Sequence, residues 1–104
     1  ALLQVGITPN PYKGASDYEV SSLTDEVRFT NMPRQATVRV FNLGGTLVRT
    51  LTKNSPERFL SWDLRTDNNF PIGSGLYLIH VETEAGERVL KFGVAKKQAL
   101  LNVY

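Results

Sequence analysis

Apolar and polar residues alternate along this chain in short runs, and the alternation predicts strands. The cleanest run is ATVRVFN at 36–42, where Ala36, Val38 and Val40 share one face and Thr37, Arg39 and Phe41 the other. LLQVGIT at 2–8 sets Leu3, Val5 and Ile7 together, and PNPYKG at 9–14 ends that run, because proline cannot donate to a central ladder. A short strand is expected at 18–20 and a turn at 21–25, followed by a strand at 27–30 with Val27 and Phe29 inward. Asn42-Leu43-Gly44-Gly45 is a turn, since adjacent glycines accept positive φ. LVRTL at 47–51 returns from it with an ambiguous inner face. Either Val48 and Thr50 or Leu47 and Leu51 point inward, unless a bulge brings Val48 and Leu51 to one side.

A polar loop is expected at 52–57, and then Leu60, Trp62 and Leu64 alternate inward. The turn formers Asp67, Asn68, Asn69, Pro71, Gly73, Ser74 and Gly75 follow. The stretch 76–94 reads as one long hairpin about Ala85-Gly86. Tyr77, Ile79 and Val81 face in on its first arm, with Leu78, His80 and Glu82 opposite, and Leu90, Phe92 and Val94 face in on its second, with Lys91 opposite. Val38, Val40, Trp62, Tyr77, Ile79, Val81 and Phe92 are the predicted core, with Trp62 and Tyr77 as neighbours. No stretch carries a helical period, and strands recur at intervals of about 8–14 residues with turn signals between them. The expected fold is all-β: an Ig-like antiparallel β-sandwich of about seven strands without a disulfide, its sheets about 10 Å apart. The sandwich is assigned to residues 1–97, leaving an apolar tail at 98–104 that either docks on the domain or binds something else.

With 104 residues the chain is one domain, able to bury roughly two-thirds of its unfolded surface. Hydrophobic residues make up 41% and charged residues 21%, which argues against disorder. The absence of cysteine removes disulfides, thiolate metal sites and a thiol nucleophile together. The net charge of +2 is spread along the chain with no basic stripe, so nucleic acid is not an expected partner. No apolar run approaches the roughly 20 residues of a membrane span, and no signal peptide is visible. The chain opens on Ala1, which is expected of a processed product or of a piece cut from a longer protein.

Candidate chemistry is sparse. His80 is the single histidine, and its place in strand alternation makes it an outward strand residue rather than a base or ligand. Asp63, Asp67 and Asn69, with Asn68 between, form an oxygen-rich loop of the kind calcium uses, but no bidentate Glu closes it, and turns built by Asx side chains are the plainer account. No cofactor is expected. No paired carboxylates or nucleophile–base–orienter set can be assembled, so an enzyme is not expected. The glycines at 44–45 join two strands rather than opening a helix, which phosphate loops require. Leu78 and Phe41 could form an exposed apolar patch if they share a sheet.

Four segments in order carry a resemblance: TPNPY at 8–12, VRFTNMPRQATVRVFNLGGTLVRTL at 27–51, WDLRTDNNFPIGSGLYLIHVE at 62–82 and GERVLKFGVAKK at 86–97. Together they resemble the C-terminal Ig-like modules of secreted bacterial proteins, the superfamily of type IX secretion sorting domains and of the Ig-like domain of the flagellar hook-capping protein. The chain departs from the sorting branch in the eight residues after Lys96 and from the hook-cap branch in having WDL where WDG is common. The resemblance implies a non-catalytic, extracytoplasmic module at the cell surface, including the outer-membrane surface. Its role would be export sorting or surface attachment. A structural or adhesive subunit of a surface filament or hook-cap-like assembly is the second reading. A carbohydrate-binding accessory domain, using Tyr12, Tyr18 or Phe70 as a platform, is the third.

Expected partners are secretion or surface-assembly proteins or the rest of the parent polypeptide, with self-association through strand edges or the tail as a further mode. Recognition is assigned to the last strand and tail: Lys91, Lys96, Lys97, Leu100 and Leu101.

Overall fold

The computed structural model describes residues 4–13 and 26–96. Eight strands form in chain order: β1 Gly6–Thr8, β2 Tyr12–Lys13, β3 Val27–Thr30, β4 Gln35–Asn42, β5 Leu47–Asn54, β6 Phe59–Trp62, β7 Gly75–Thr83 and β8 Gly86–Ala95. They make two sheets, a small one of order β1-β3-β6 and a large one of order β2-β8-β7-β4-β5. All pairings are antiparallel except β2 with β8, which is parallel, with Tyr12 opposite Val94. The fold is a β-sandwich. The strand expected at 18–20, the turn at 21–25 and the tail at 98–104 lie outside the described residues.

The inner faces follow the alternation. Val38, Val40, Ile79, Val81 and Phe92 of the large sheet are fully excluded from solvent, as are Val27, Phe29 and Trp62 of the small one. Each such aliphatic side chain stabilises the fold by about 1.5–3 kcal/mol relative to exposure. The sheets meet where the rings of Trp62 and Phe92 tilt against each other, centroids 6.1 Å apart. Tyr77, buried, sits directly across the ladder from Phe92. Its hydroxyl donates back to the Gly73 carbonyl at 2.7 Å, tying down the turn that precedes β7. Burial raises the Tyr77 phenol above its ordinary value.

Three features depart from the sequence expectations. First, the PNP segment does more than stop β1, and eight strands stand among the described residues. It carries the chain from the small sheet to the large one, where Tyr12–Lys13 adds to β8. Tyr12 is consequently buried and cannot serve as an exposed aromatic platform. Second, β5 runs on to Asn54, so that part of the expected polar loop is strand. Within it Lys53 points inward and is only 4% exposed. Its ammonium donates to the carbonyls of Ser55 at 2.6 Å, Pro33 at 2.7 Å and Arg34 at 3.4 Å. Three acceptors satisfy the three donors of the group, which is the condition under which a buried polar head is tolerated. Third, the ambiguous face of β5 is resolved by a register shift between Val40 and Phe41. Arg49 pairs with Val40 and Leu47 with Phe41, which leaves Val48 as the extra residue. Val48 and Leu51 then both pack on the core.

Candidate interaction surface

The outer face of the large sheet carries the exposed side chains of the long strands. Cross-strand register arranges them in rows. One row runs Leu47, Phe41, Leu78, Lys91; the next runs Thr50, Arg39, His80, Val89; the third runs Thr52, Thr37, Glu82, Glu87. The sheet is therefore apolar toward the β4–β5 turn and charged toward the β7–β8 turn. The half-buried Phe41 and the exposed Leu78 are direct partners, and with the exposed Leu47 and Leu76 they form an apolar patch. The charged end is organised by two contacts. Arg39 Nη1 donates to Glu82 Oε1 at 2.8 Å, and His80 Nε2 lies 2.9 Å from Glu87 Oε1. The hydrogen bond from Arg39, then its charge, holds the Glu82 carboxyl below the usual carboxylate range. On the small sheet the exposed ring of Phe59 is covered by the Arg28 guanidinium, 4.3 Å from its centroid.

The edges of the large sheet differ. On β8, Asn10 takes the place of a strand: its Nδ2 donates to the Lys91 carbonyl at 2.8 Å and its Oδ1 accepts from the Gly93 amide at 3.2 Å. β2 continues the cover at Val94 and Ala95. On β5, Asp67 does the same from the β6–β7 loop. Its main-chain amide donates to the Val48 carbonyl at 2.9 Å, and its Oδ1 accepts from the Thr50 amide at 3.2 Å. Trp62 anchors that loop by donating Nε1–H to the Arg65 carbonyl at 3.0 Å. Leu64, at φ 61°, turns the chain out of β6 in a left-handed conformation that costs an L-residue about 1–2 kcal/mol. Its burial and the bond from the Ile72 amide to its carbonyl hold it there.

This loop contains the calcium candidates, and the arginine of β5 already occupies their centre. Arg49 Nη1 lies 3.6 Å from Asp63 Oδ1, its Nε lies 3.7 Å from Asp67 Oδ1, and Nη1 also donates to the carbonyls of Arg65 and Thr66. Asp63 accepts from the Arg65 amide, and the Asn69 carbonyl accepts from Arg65 Nη1. The oxygens are thus committed to a guanidinium and to loop closure. Among the described residues no group of three or more His, Asp or Glu side chains is placed to hold a metal.

Of the recognition candidates, Lys91 is exposed at the end of the apolar row. Lys96 is tied to the preceding loop, with Nζ donating to the Ile72 carbonyl at 2.8 Å and the backbone amide to Ser74 Oγ at 2.8 Å. Lys97, Leu100 and Leu101 lie outside the described residues. Phe70 is exposed at the tip of the β6–β7 loop, and Tyr18 lies outside the described residues. At the opposite end of the sandwich an open cleft of about 600 Å³ is lined by Asn31, Arg34, Arg58 and Glu84 among others.

No family model matches the sequence, and no curated protein matches it. Among solved structures the chain is similar to part of PorZ from Porphyromonas gingivalis, described as an essential bacterial surface component of the type IX secretion system. The TM-score is 0.68 at 20% identity, over 89% of this chain and 12% of PorZ. It is likewise similar to part of dimeric latent PorU from the same organism, with a TM-score of 0.60 at 20% identity, over 89% of this chain and 9% of PorU. The chain thus spans about a tenth of each neighbour's length. At this identity the likeness establishes the shared sandwich fold.

Proposed function

We propose that this sandwich is a non-catalytic C-terminal module of a larger secreted or cell-surface bacterial protein, acting in export sorting or surface attachment. The observation that carries the reading is the match of 89% of the chain to one segment of PorZ, itself a type IX secretion component at the bacterial surface. The four sequence segments that resemble sorting modules point the same way, and they map onto β1–β2, β3–β5, β6–β7 and β8. The mechanism is recognition of a folded surface by secretion-system proteins. The outer face of the large sheet offers it: an apolar patch from Leu47 to Leu78 bounded by Lys91 and the Arg39–Glu82 pair. The module then works outside the cytoplasm, on a protein destined for the cell surface.

The test is a fusion of these 104 residues to a reporter in a type IX-competent host. Surface delivery of the reporter is expected. A reporter retained in the periplasm overturns the sorting role. Leu78→Asp, on the exposed outer face, should lower delivery without unfolding the domain. A second reading, a structural module of a surface assembly, is favoured by the incomplete cover of β8 among the described residues.

A further inference from the structure

An apolar strip crosses one end of the outer face of the large sheet. At the β8 side it is paved by Pro11, Gly93 and Leu76. Gly93, opposite Leu76, faces outward without a side chain, and a Cβ at that position would stand 3.4 Å from Pro11 Cβ and 3.6 Å from Leu76 Cδ2. The strip continues through Leu78 and Phe41 to Leu47 on β5. Leu76 is 56% exposed and Leu47 45%, so the strip faces solvent among the described residues. The chain leaves β8 at the rim of this strip. The Lys96 amide donates to Ser74 Oγ and its Nζ to the Ile72 carbonyl, both at 2.8 Å, which holds the exit beside the start of β7. Residues 98–104, which follow it outside the described residues, read Gln-Ala-Leu-Leu-Asn-Val-Tyr.

We propose that residues 98–104 dock across this strip, folding back from Lys96 over Leu76 and Leu78 toward Leu47. Composition, reach and tethering single out this tail as the occupant. Five of its seven residues are apolar and none carries a charged side chain. That matches a strip whose charged neighbours, Lys91 apart, lie toward the β7–β8 turn. Seven extended residues span about 23 Å, more than the three strand spacings from β8 to β5, which are about 14 Å. A tether at the rim gives the tail an effective concentration in the mM range, well above that of a second copy or a separate protein in dilute solution. Burying the exposed leucines supplies the driving force, and it must exceed the cost of ordering the tail. A secretion protein that recognises the patch competes with the tail. That competition rests on the export reading, whereas docking is measured on the purified chain, so the two fail separately.

The experiment is methyl NOE spectroscopy of the 104-residue chain, combined with denaturant unfolding. Contacts are expected from the methyls of Leu100, Leu101 and Val103 to those of Leu47, Leu76 and Leu78. In a mixture of labelled and unlabelled copies they should remain within one molecule. Ending the chain at Lys97 should lower the folding constant about tenfold, the scale of burying one leucine side chain. Leu101→Asp, outside the sandwich, should abolish the contacts and give most of the same loss with the fold intact. Leu78→Thr should weaken the full chain more than the shortened one, because in the shortened chain its partner is already gone. Absence of the contacts overturns the proposal, whatever the shortened chain does. So do contacts that form only between molecules, a folding constant indifferent to the loss of residues 98–104, or equal effects of Leu78→Thr in the two chains.

Discussion

The two edges of the large sheet solve one problem in two ways. On both, an Asx side chain stands in for a missing strand: Asn10 brackets Phe92 of β8, and Asp67 brackets Arg49 of β5. On β5 this is reinforced by a loop anchored through Trp62, an arginine shared with Asp63, and a lysine turned inward where a neighbouring strand would pack. On β8 there is no counterpart to these beyond β2, and the half from Gly86 to Leu90 stays open among the described residues. The difference teaches where association is possible. An edge accepts another strand only where its amides are free and no buried charge lies behind them.

The comparison breaks most completely at Trp62. Trp62→Ala removes the ring against Phe92 and the anchor of the Arg65 carbonyl together, and should cost about 3–5 kcal/mol in denaturant unfolding. Trp62→Phe separates the two roles. It should keep most of the packing while raising exchange at the Thr50 amide, because the loop carrying Asp67 loses its tether. Next in size is Lys53→Met. Three carbonyls lose their donor, for an expected cost of about 1–3 kcal/mol. The same change removes the inward charge from β5, so concentration-dependent association through that edge should appear by sedimentation if the charge is what guards it.

A direct contrast of the two caps comes third. Asn10→Ala removes both bonds on its edge and should cost about 1–2 kcal/mol, whereas Asp67→Ala leaves the amide bond to Val48 and should cost about 1 kcal/mol or less. Equal losses would show that the side chains do not cap the edges as described. The smallest effect is expected at the Arg39–Glu82 pair, which lies in the body of the sheet between the edges. The folded-state value of Glu82 is depressed, so its contribution is present above the unfolded carboxylate value and is lost as pH falls through the folded one. Arg39→Gln should flatten that part of the pH–stability profile and leave exchange at both edges unchanged.

Much of this molecule is legible in its order of residues. The alternation at 36–42, 59–64, 76–84 and 88–94 predicts which side chains face the core, and the buried residues of β4, β6, β7 and β8 follow it. The Asn-Leu-Gly-Gly turn falls where its glycines place it, with Gly45 at φ 89°. The oxygen-rich loop was legible as a turn, but its role as an edge cover was not, because the partners of Asp67 lie on a strand earlier in the chain. Lys53 gave no local signal either. A lysine at an inward position of a polar run looks like an exposed one until three distant carbonyls are brought to it.

By itself, then, the sequence determined most of the strands among the described residues and the inner faces of β3, β4, β6, β7 and β8, since side-chain direction along a strand is a local property with a period of two. The tertiary structure alone decided which strands are neighbours, that the PNP segment crosses between sheets, and that β2 runs parallel to β8. It alone decided that one half of one edge is left bare among the described residues. Strand pairing is made by bonds between residues far apart in the chain, such as Asn10 and Gly93, and such bonds leave no periodic trace in either partner.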